Sequence, residues 1–525
     1  MPSVRPLMVT TRDGSSLPES RPSNAPPGRD RLVLASAICA CLVGLILIAV
    51  LPKELWESPV AFSVLLIVLL TANARLLPPG ALCWPNIFIV LAFLTNISYF
   101  FEVEFHFIAP LSYMPSLDDP GTSTALQVGA LAILATEVGV LAALVLLRPA
   151  SRHWNRPAPA VQSPWSGSHL LLWVGIAIAV LSAALYLYLI VQLGGIELLL
   201  GHRYRQYLDE SLSVQPAFGT LGVNYLPAGL LLIYVGIDSR SRLARRHRLL
   251  VIGLLGLYAL VSLSIGDRNS SLLAALGFVY VHNAFVRRFR LRVLALWCVV
   301  GALPLLLLLS YFGAVRNGPS VDSPISATTG YAAITSAYLP YIGFVDYSSE
   351  YGYSLGAAPY TAAIAHVLPT ILSSSRGIAS SGFTRSTTFI TQWMSPADAA
   401  LNIGLGGSAI GEAYASFGTV GVALQFAILG LLLGATETLA VQRRRLSFIV
   451  FLVLAFLPML WYLRDDVFGL LRNLVWGMLL AMGVGVLHSV SVRHGDRRAT
   501  IPTVRTSTRW RPPASGQPRV GGAGQ

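Results

Sequence analysis

Eight arginines stand apart from the basic clusters of this chain: Arg203, Arg205, Arg268, Arg316, Arg376, Arg385, Arg464 and Arg472. A guanidinium is a planar fork of N–H donors that matches two oxygens of a phosphate. Isolated arginines are therefore candidates for gripping a diphosphate, although any one of them can equally balance a neighbouring acid. Arg464, followed by Asp465 and Asp466, fits that plainer role. Two motifs add to the set. Gly266-Asp267-Arg268-Asn269 separates two apolar runs. Ionisable residues so close to a membrane interior are costly and are functional candidates by default. The bland alternative is a turn in which Asp267 pairs with Arg268. The second motif, residues 406–418 (GGSAIGEAYASFG), places Glu412, Tyr414 and Ser416 within about one helical turn. Glu412 is the first candidate for a carboxylate base that accepts a hydroxyl proton, and Asp346 is another. The alternative for Glu412 is a helix start, where the dipole favours an acid. Glu350, Asp209, Glu210, Asp118 and Asp119 are further acids, and His106, His202 and His366 titrate in the useful range.

The elements that position these residues are membrane spans. A span needs about 20 apolar residues. Twelve candidates follow: 32–51, 60–74, 81–101, 124–147, 170–193, 220–237, 249–265, 271–285, 293–315, 419–439, 448–463 and 474–492. With both termini inside, 28 of the 37 Lys and Arg fall on the inner side, the arrangement the positive-inside rule favours. The eight arginines above, with Lys53, are then the outer set. The reading is all-α: a polytopic membrane protein of about twelve spans with one large external loop. Residues 1–30 form a disordered cytoplasmic N-terminus, 31–315 spans one to nine, 316–418 the loop, 419–492 spans ten to twelve, and 493–525 a disordered cytoplasmic tail. Stretches 331–341 and 360–372 of the loop have helix-like apolar spacing and predict short helices on the membrane surface. Glu437 falls where it can reach the arginines at 443–445, whereas Glu137 has no evident partner.

Composition agrees. The 525 residues are 54% hydrophobic and only 12% charged, against about a quarter charged in soluble domains. The net charge of +13 raises nucleic-acid binding, but its one-sided distribution follows topology instead. Cys39, Cys41, Cys83 and Cys298 sit in apolar runs without metal spacing and read as packing residues. No nucleotide, haem or metal motif occurs. The expectation is no cofactor and no metal, with the energy for any reaction carried by the substrate.

Three blocks resemble the bacterial oligosaccharide repeat-unit polymerases, the O-antigen or Wzy-type family. They are Ser264-Ile265-Gly266-Asp267-Arg268-Asn269-Ser270, then Tyr351-Gly352-Tyr353-Ser354-Leu355-Gly356 with Pro369 downstream, then the stretch 408–418 with Gly421. Asp267 departs from the small residue common in that family. The resemblance covers roughly residues 190–440. It implies a metal-independent, GT-C-like glycosyltransferase acting on undecaprenyl-diphosphate-linked oligosaccharide at the outer face of a bacterial inner membrane. It implies that arginines such as Arg268 and Arg385 hold the leaving diphosphate and that a carboxylate, Glu412 first, accepts the hydroxyl proton. With the residues read above, the expected catalytic set is Glu412, Arg268 and Asp346, and the expected substrate-binding set is Arg203, Arg205, Arg316, Arg376, Arg385 and Tyr414. The implied partners are the lipid bilayer, the lipid-linked oligosaccharide and a chain-length regulator, with no nucleic acid.

Other functions share parts of this plan. A ligase that moves finished glycan to another acceptor has the same membrane layout. A flippase or transporter calls for charges through several spans near the midplane, and few are present here. A polyprenyl-phosphate-sugar transferase usually carries an acidic pair in its first outer loop; here Asp118-Asp119 lies in the second.

Overall fold

The structure is a computed structural model. It describes residues 59–77, 80–98, 120–147, 168–192, 216–237, 243–265, 267–289, 338–365, 385–400 and 405–499, with residues 38 and 367 and isolated positions between 296 and 311. Every regular element among them is helical. In chain order they are α1 (Pro59–Leu76), α2 (Trp84–Ala92), α3 (Pro120–Leu146), α4 (Ser168–Gln192), α5 (Pro216–Gly236), α6 (Ala244–Ile265) and α7 (Arg268–Val281). There follow α8 (Tyr338–Tyr351), α9 (Ala358–Ala365), α10 (Ser386–Met394), α11 (Pro396–Ala400), α12 (Ala409–Glu437), α13 (Leu446–Tyr462) and α14 (Val467–Ala499). Five helices are long and apolar enough to cross a bilayer, within α3, α4, α6, α12 and α14, and four shorter apolar helices accompany them. The chain is a multi-pass membrane protein. Of the predicted spans, 32–51 and most of 293–315 lie outside the described residues, as do both expected disordered termini apart from the start of the tail, where α14 runs on to Ala499.

Helices in lipid gain no hydrophobic drive from meeting one another, so they associate where small residues let backbones touch. Two such crossings organise the bundle. In the first, α3 lies against α12: a Cβ on Gly430 would overlap the Thr136 carbonyl, and one on Gly139 would overlap that of Ala427. Gly434, one turn on, faces Val140 and Ala143. In the second, Gly175 of α4 sits against the backbone of Gly229 and Ile233 in α5, and Gly229 against Ala179. Within the bundle α13 is enclosed by α14, α5, α7, α12 and α2, and residues 449–460 are all buried.

The buried acids find partners that linear distance hides. Glu137 accepts from Asn73 Nδ2 at 2.7 Å. Glu437 does not turn to the arginines at 443–445; Tyr280 donates to it at 2.5 Å and the Trp84 backbone N–H at 3.4 Å. Tyr280 in turn stacks on Phe456 (4.8 Å, 12°), which stacks on Trp84. A neutral hydroxyl and amide suit this place better than a guanidinium, which would carry its charge into the core.

The described part of 316–418 departs from two expectations. Among the described residues the corresponding helices are α8, which runs past 341 to Tyr351, and α9, which starts at Ala358, two residues before 360. Pro359 falls in the first turn of α9, where a missing N–H costs nothing, and marks that start better than apolar spacing does. Nor does α8 lie on the surface. It packs between α3 and α12, with Tyr338, Tyr341 and Phe344 fully buried and the Tyr341 hydroxyl donating to the Ala125 carbonyl. Helices α10 and α11 were not foreseen. Stretch 331–337 lies outside the described residues.

The α3–α12 crossing is open to test. Gly430→Leu should lower the thermal midpoint of the detergent-solubilised protein sharply, because overpacking costs about 1–3 kcal/mol and this clash is with backbone. Gly256→Ala in α6, where a Cβ meets nothing within 4 Å, should leave the midpoint unchanged or slightly raised. Equal effects of the two would remove the crossing as the organising contact.

Candidate functional site

The four-residue turn 463–466 joins α13 to α14 at the end of the bundle where α10 and the start of α12 also lie. Its backbone closes locally, Arg464 N–H donating to Trp461 O and Asp465 N–H to Tyr462 O. The segment before α12 packs on it: Gly407 N–H donates to the Arg464 carbonyl at 3.0 Å, and a Cβ on Gly407 would come within 2.8 Å of the Asp465 carbonyl oxygen. Ser408 then caps α12, accepting from Gly411 N–H while donating to Asn96 beyond the end of α2.

Arg385 reaches this turn from the N-cap of α10. Its Nε donates to Asp466 Oδ2 at 3.1 Å, and its Nη2 to Asp466 Oδ1 at 3.1 Å and Asp465 Oδ1 at 2.8 Å. The guanidinium is thus locked by two consecutive carboxylates, yet its side chain stays 40% exposed. Asp466 is only 1% exposed and collects further donors: Thr387 Oγ1 at 3.1 Å, Thr387 N–H at 3.5 Å and Gly469 N–H at 3.3 Å. It serves the N-termini of α10 and α14 at once, where helix dipoles favour an anion. Phe468 lies under the Arg385 guanidinium (5.2 Å to the ring centre) and beside that of Arg472 (5.7 Å).

The two aspartates differ in acidity. Burial pushes the Asp465 carboxyl up to about 6, against the pull of Arg385, and the neighbouring Asp466 charge adds to the rise. Burial pushes Asp466 the same way, but the charge and hydrogen bonds of Arg385, with Gly469 and Thr387, outweigh it and hold the group below the usual carboxylate range. Burial works against the Arg385 charge, and the two aspartates hold its pKa above the ordinary value.

Glu412 completes the cluster from the first turn of α12. It is 1% exposed. Ser386 Oγ, next to Arg385, donates to Oε1 at 2.5 Å, and the Val467 N–H, next to Asp466, donates to Oε2 at 2.8 Å. The carboxylate therefore pins the start of α10 and the start of α14 to α12. Five residues on, α12 breaks: Phe417 leaves the helical region and Gly418 takes φ +65°, with the Tyr353 ring 2.7 Å from where a Cβ would stand. Tyr414 meets that same Tyr353 edge-on at 5.5 Å.

The structure so brings together two of the expected residues, Glu412 and Arg385, with Tyr414 two residues further along α12. Asp346 is half-buried in α8. Arg268 is the first residue of α7; Asp267 caps that helix, accepting from Ser270 N–H at 3.1 Å and Ser270 Oγ at 2.5 Å. Arg203, Arg205, Arg316 and Arg376 lie outside the described residues. The guanidinium seen to bind Asp465 and Asp466 is that of Arg385, 80 and 81 positions away, where adjacency pointed to Arg464. Asp465, Asp466, Ser386 and Thr387 were the functional candidates missed. Only Asp466 left a sequence signal, an acid at the N-cap of an apolar run.

No curated protein and no solved structure matches the chain. The family model described as O-antigen polysaccharide polymerase Wzy matches residues 34–492. That range takes in all five long apolar helices and the whole of the cluster around Arg385. The chain belongs to the O-antigen polysaccharide polymerase Wzy family, and is a multi-pass membrane enzyme that polymerises lipid-linked oligosaccharide repeat units by glycosyl transfer.

Proposed function

We propose that the cluster of Arg385, Asp465, Asp466 and Glu412 is the centre at which the lipid-borne diphosphate leaves and the glycan is joined. The observation that carries this is the posture of Arg385: a guanidinium fixed by two carboxylates and an aromatic ring, yet 40% open to solvent. Pre-aimed donors lower a barrier more than flexible ones, because no reorganisation is needed as charge develops. In the reaction a hydroxyl of one repeat unit attacks the anomeric carbon of a growing chain. The bond from that carbon to the diphosphate oxygen breaks, a glycosidic bond forms, and the hydroxyl proton passes to a carboxylate. The negative charge on the departing polyprenyl diphosphate is met by Arg385, with Arg268, Arg472 and the arginines at 203, 205, 316 and 376 as further donors. This is a metal-independent, GT-C-like scheme, with undecaprenyl diphosphate as the carrier. Glu412, whose oxygens already serve Ser386 and Val467, acts in it as a positioning residue. Asp465, 19% exposed, is better placed than Glu412 to face a substrate. Asp346 remains a proposed second base and Tyr414 a proposed contact to sugar. A chain of twelve spans with both termini cytoplasmic puts this centre on the outer face, where a chain-length regulator is a proposed partner. The count of inner against outer arginines supports that orientation.

The direct test is purified protein incubated with lipid-linked repeat units and a gel for glycan ladders. Arg385→Lys keeps the charge but loses the fork, and should cut turnover about 100-fold or more at normal membrane levels. A full ladder would exclude Arg385 from the chemistry. Arg268→Ala should likewise leave single repeat units, and normal polymer length would remove it.

Glu412→Gln sets an amide N–H₂ against one of two donors, so about 1–3 kcal/mol of local stability is lost. The expected result is a lower thermal midpoint with kcat reduced and KM for the lipid-linked donor little changed. A raised KM with unchanged kcat would point to direct substrate contact instead.

The Asp465 carboxyl makes a pH prediction. Its folded pKa, about 6, lies above the ordinary 3.8. The folded protein thus prefers it protonated, and its contribution to stability falls as pH rises from about 4 to about 6. Below 6 the cluster loses one negative charge while Arg385 keeps its own, so KM for the diphosphate-bearing donor should drop as pH falls from 7 to 5. Asp465→Asn should flatten that profile. A slope that survives the substitution would assign it to another group.

A further inference from the structure

Beyond the charged cluster, the external segment carries aromatic rings with no part in the scheme above. Tyr347 of α8 is held edge-on by Phe389 (5.1 Å, 86°) and Trp393 (5.7 Å, 84°) of α10, and its face stacks on Tyr351 (5.0 Å, 30°). Tyr351 is 53% exposed and Tyr353 52%. Tyr353 continues the line to Tyr414, two residues from Glu412. We propose that Tyr351 and Tyr353, backed by Tyr347 and Trp393, form a shelf that binds the oligosaccharide of the acceptor repeat unit. The inference rests on the assignment of the Arg385 cluster as the reaction centre.

Three observations support a glycan in preference to lipid. The first is composition. The outward faces of the spans are mostly aliphatic, with Leu187, Val191, Leu257 and Val486 all more than half exposed and exposed aromatics such as Trp173 and Tyr188 set singly among them. The shelf instead surrounds its rings with Ser349, Glu350, Gly352 and Ser354, all exposed. The Tyr347 hydroxyl and Ser354 Oγ share a hydrogen bond at 2.7 Å at the surface, and Glu350 lies close enough to the Tyr351 hydroxyl to push its pKa up. A sugar presents a C–H face to the negative face of an aromatic ring and hydroxyls around its edge, so a ring flanked by acceptors is its natural counterpart. The second is rigidity. Tyr347 is fixed between two helices, and Tyr353 covers Gly418, where the break in α12 gives it a seat. Rings immobilised before binding lose little entropy on binding. The third is distance. Arg385 caps α10 and Trp393 lies eight residues along, about 12 Å at 1.5 Å per residue. One helix thus spaces the diphosphate grip from the aromatic shelf by the reach of a short oligosaccharide, and α12 joins the other end of the shelf to the same centre through Tyr414 and Glu412.

The test separates this inference from the reading beneath it. In the purified polymerase, with the acceptor repeat unit varied, Tyr351→Leu combined with Tyr353→Leu should raise acceptor KM about three- to tenfold with kcat nearly unchanged. Tyr351→Phe, which keeps the ring and loses only the hydroxyl, should raise acceptor KM less than the leucine pair does. Free oligosaccharide, cleaved from its lipid, should give saturation-transfer NMR signals from the aromatic protons of the parent protein, weakened in the double variant. Unchanged KM together with undiminished glycan signals in the double variant would overturn the shelf, as would the absence of any glycan signal with the parent protein. A double variant that alters only lipid or detergent retention would assign the rings to the bilayer interface and also overturn it. Loss of turnover in Arg385→Lys tests the reaction centre alone. A failure there, with the glycan signals intact, would sink the centre and leave the rings as a glycan site.

Discussion

A buried carboxylate must be met by donors, and in this chain that requirement ties segment 385–400 to the membrane bundle. Asp466 and Glu412 are each 1% exposed. Between them they take hydrogen bonds from Arg385, Ser386, Thr387, Val467 and Gly469. The donors come from the starts of two helices far apart in sequence, and Glu412 itself stands on a third. Removing either carboxylate leaves several N–H and O–H groups unpaired, each costing about 1–3 kcal/mol. Removing Arg385 leaves two acids facing each other. A small number of polar atoms thus decides where α10, α12 and α14 begin relative to one another.

Such a cluster is a poor device for stability alone. The desolvation of buried ions commonly offsets their attraction, and apolar packing does as well. What an ion cluster supplies instead is orientation. Arg385 could turn freely on its long side chain, but with Nε and Nη2 engaged and Phe468 beneath, its plane and its open edge are set. For an enzyme that must meet charge as it develops, a fixed donor is worth more than a strong pair. The different acidities of Asp465 and Asp466 follow the same logic. The fully enclosed Asp466 is saturated with donors and stays ionised, while Asp465 has fewer and is easier to protonate.

The membrane plan was legible in the sequence because bilayer physics is written in composition and run length. Apolar runs at 124–147, 170–193, 220–237 and 419–439 each coincide with a helix within a few residues at one end or the other. The expected Glu412 and Arg385 belong to one cluster, since an acid at a glycine-flanked helix start and an isolated arginine are both anomalies against an apolar background. What the sequence hid was pairing. Arg464 precedes Asp465 in the chain, and adjacency suggested an ion pair; the guanidinium that binds Asp465 at 2.8 Å lies 80 residues away, and no periodicity carries that information. Glu137 and Glu437 were obscured for the same reason, as Asn73 and Tyr280 sit 64 and 157 positions from them. The depth of α8 was misjudged because a helix with Tyr and Ser on its surface reads as interfacial until its neighbours are known.

Helix α12 shows how a membrane scaffold and a buried polar cluster can share one element without conflict. Its C-terminal part is held rigidly, Gly430 and Gly434 letting α3 approach to backbone contact. Its first turn needs another axis, since Glu412 must face α10 and α14. A straight helix would serve one demand and fail the other. The break at Phe417–Gly418 separates them, and only glycine adopts the φ of +65° at the joint without strain. A break in a membrane helix frees backbone polar groups, tolerable only where protein covers them. Here Tyr353 fills that place, so the residue that closes the break is also the one that joins the aromatic line to the charged centre.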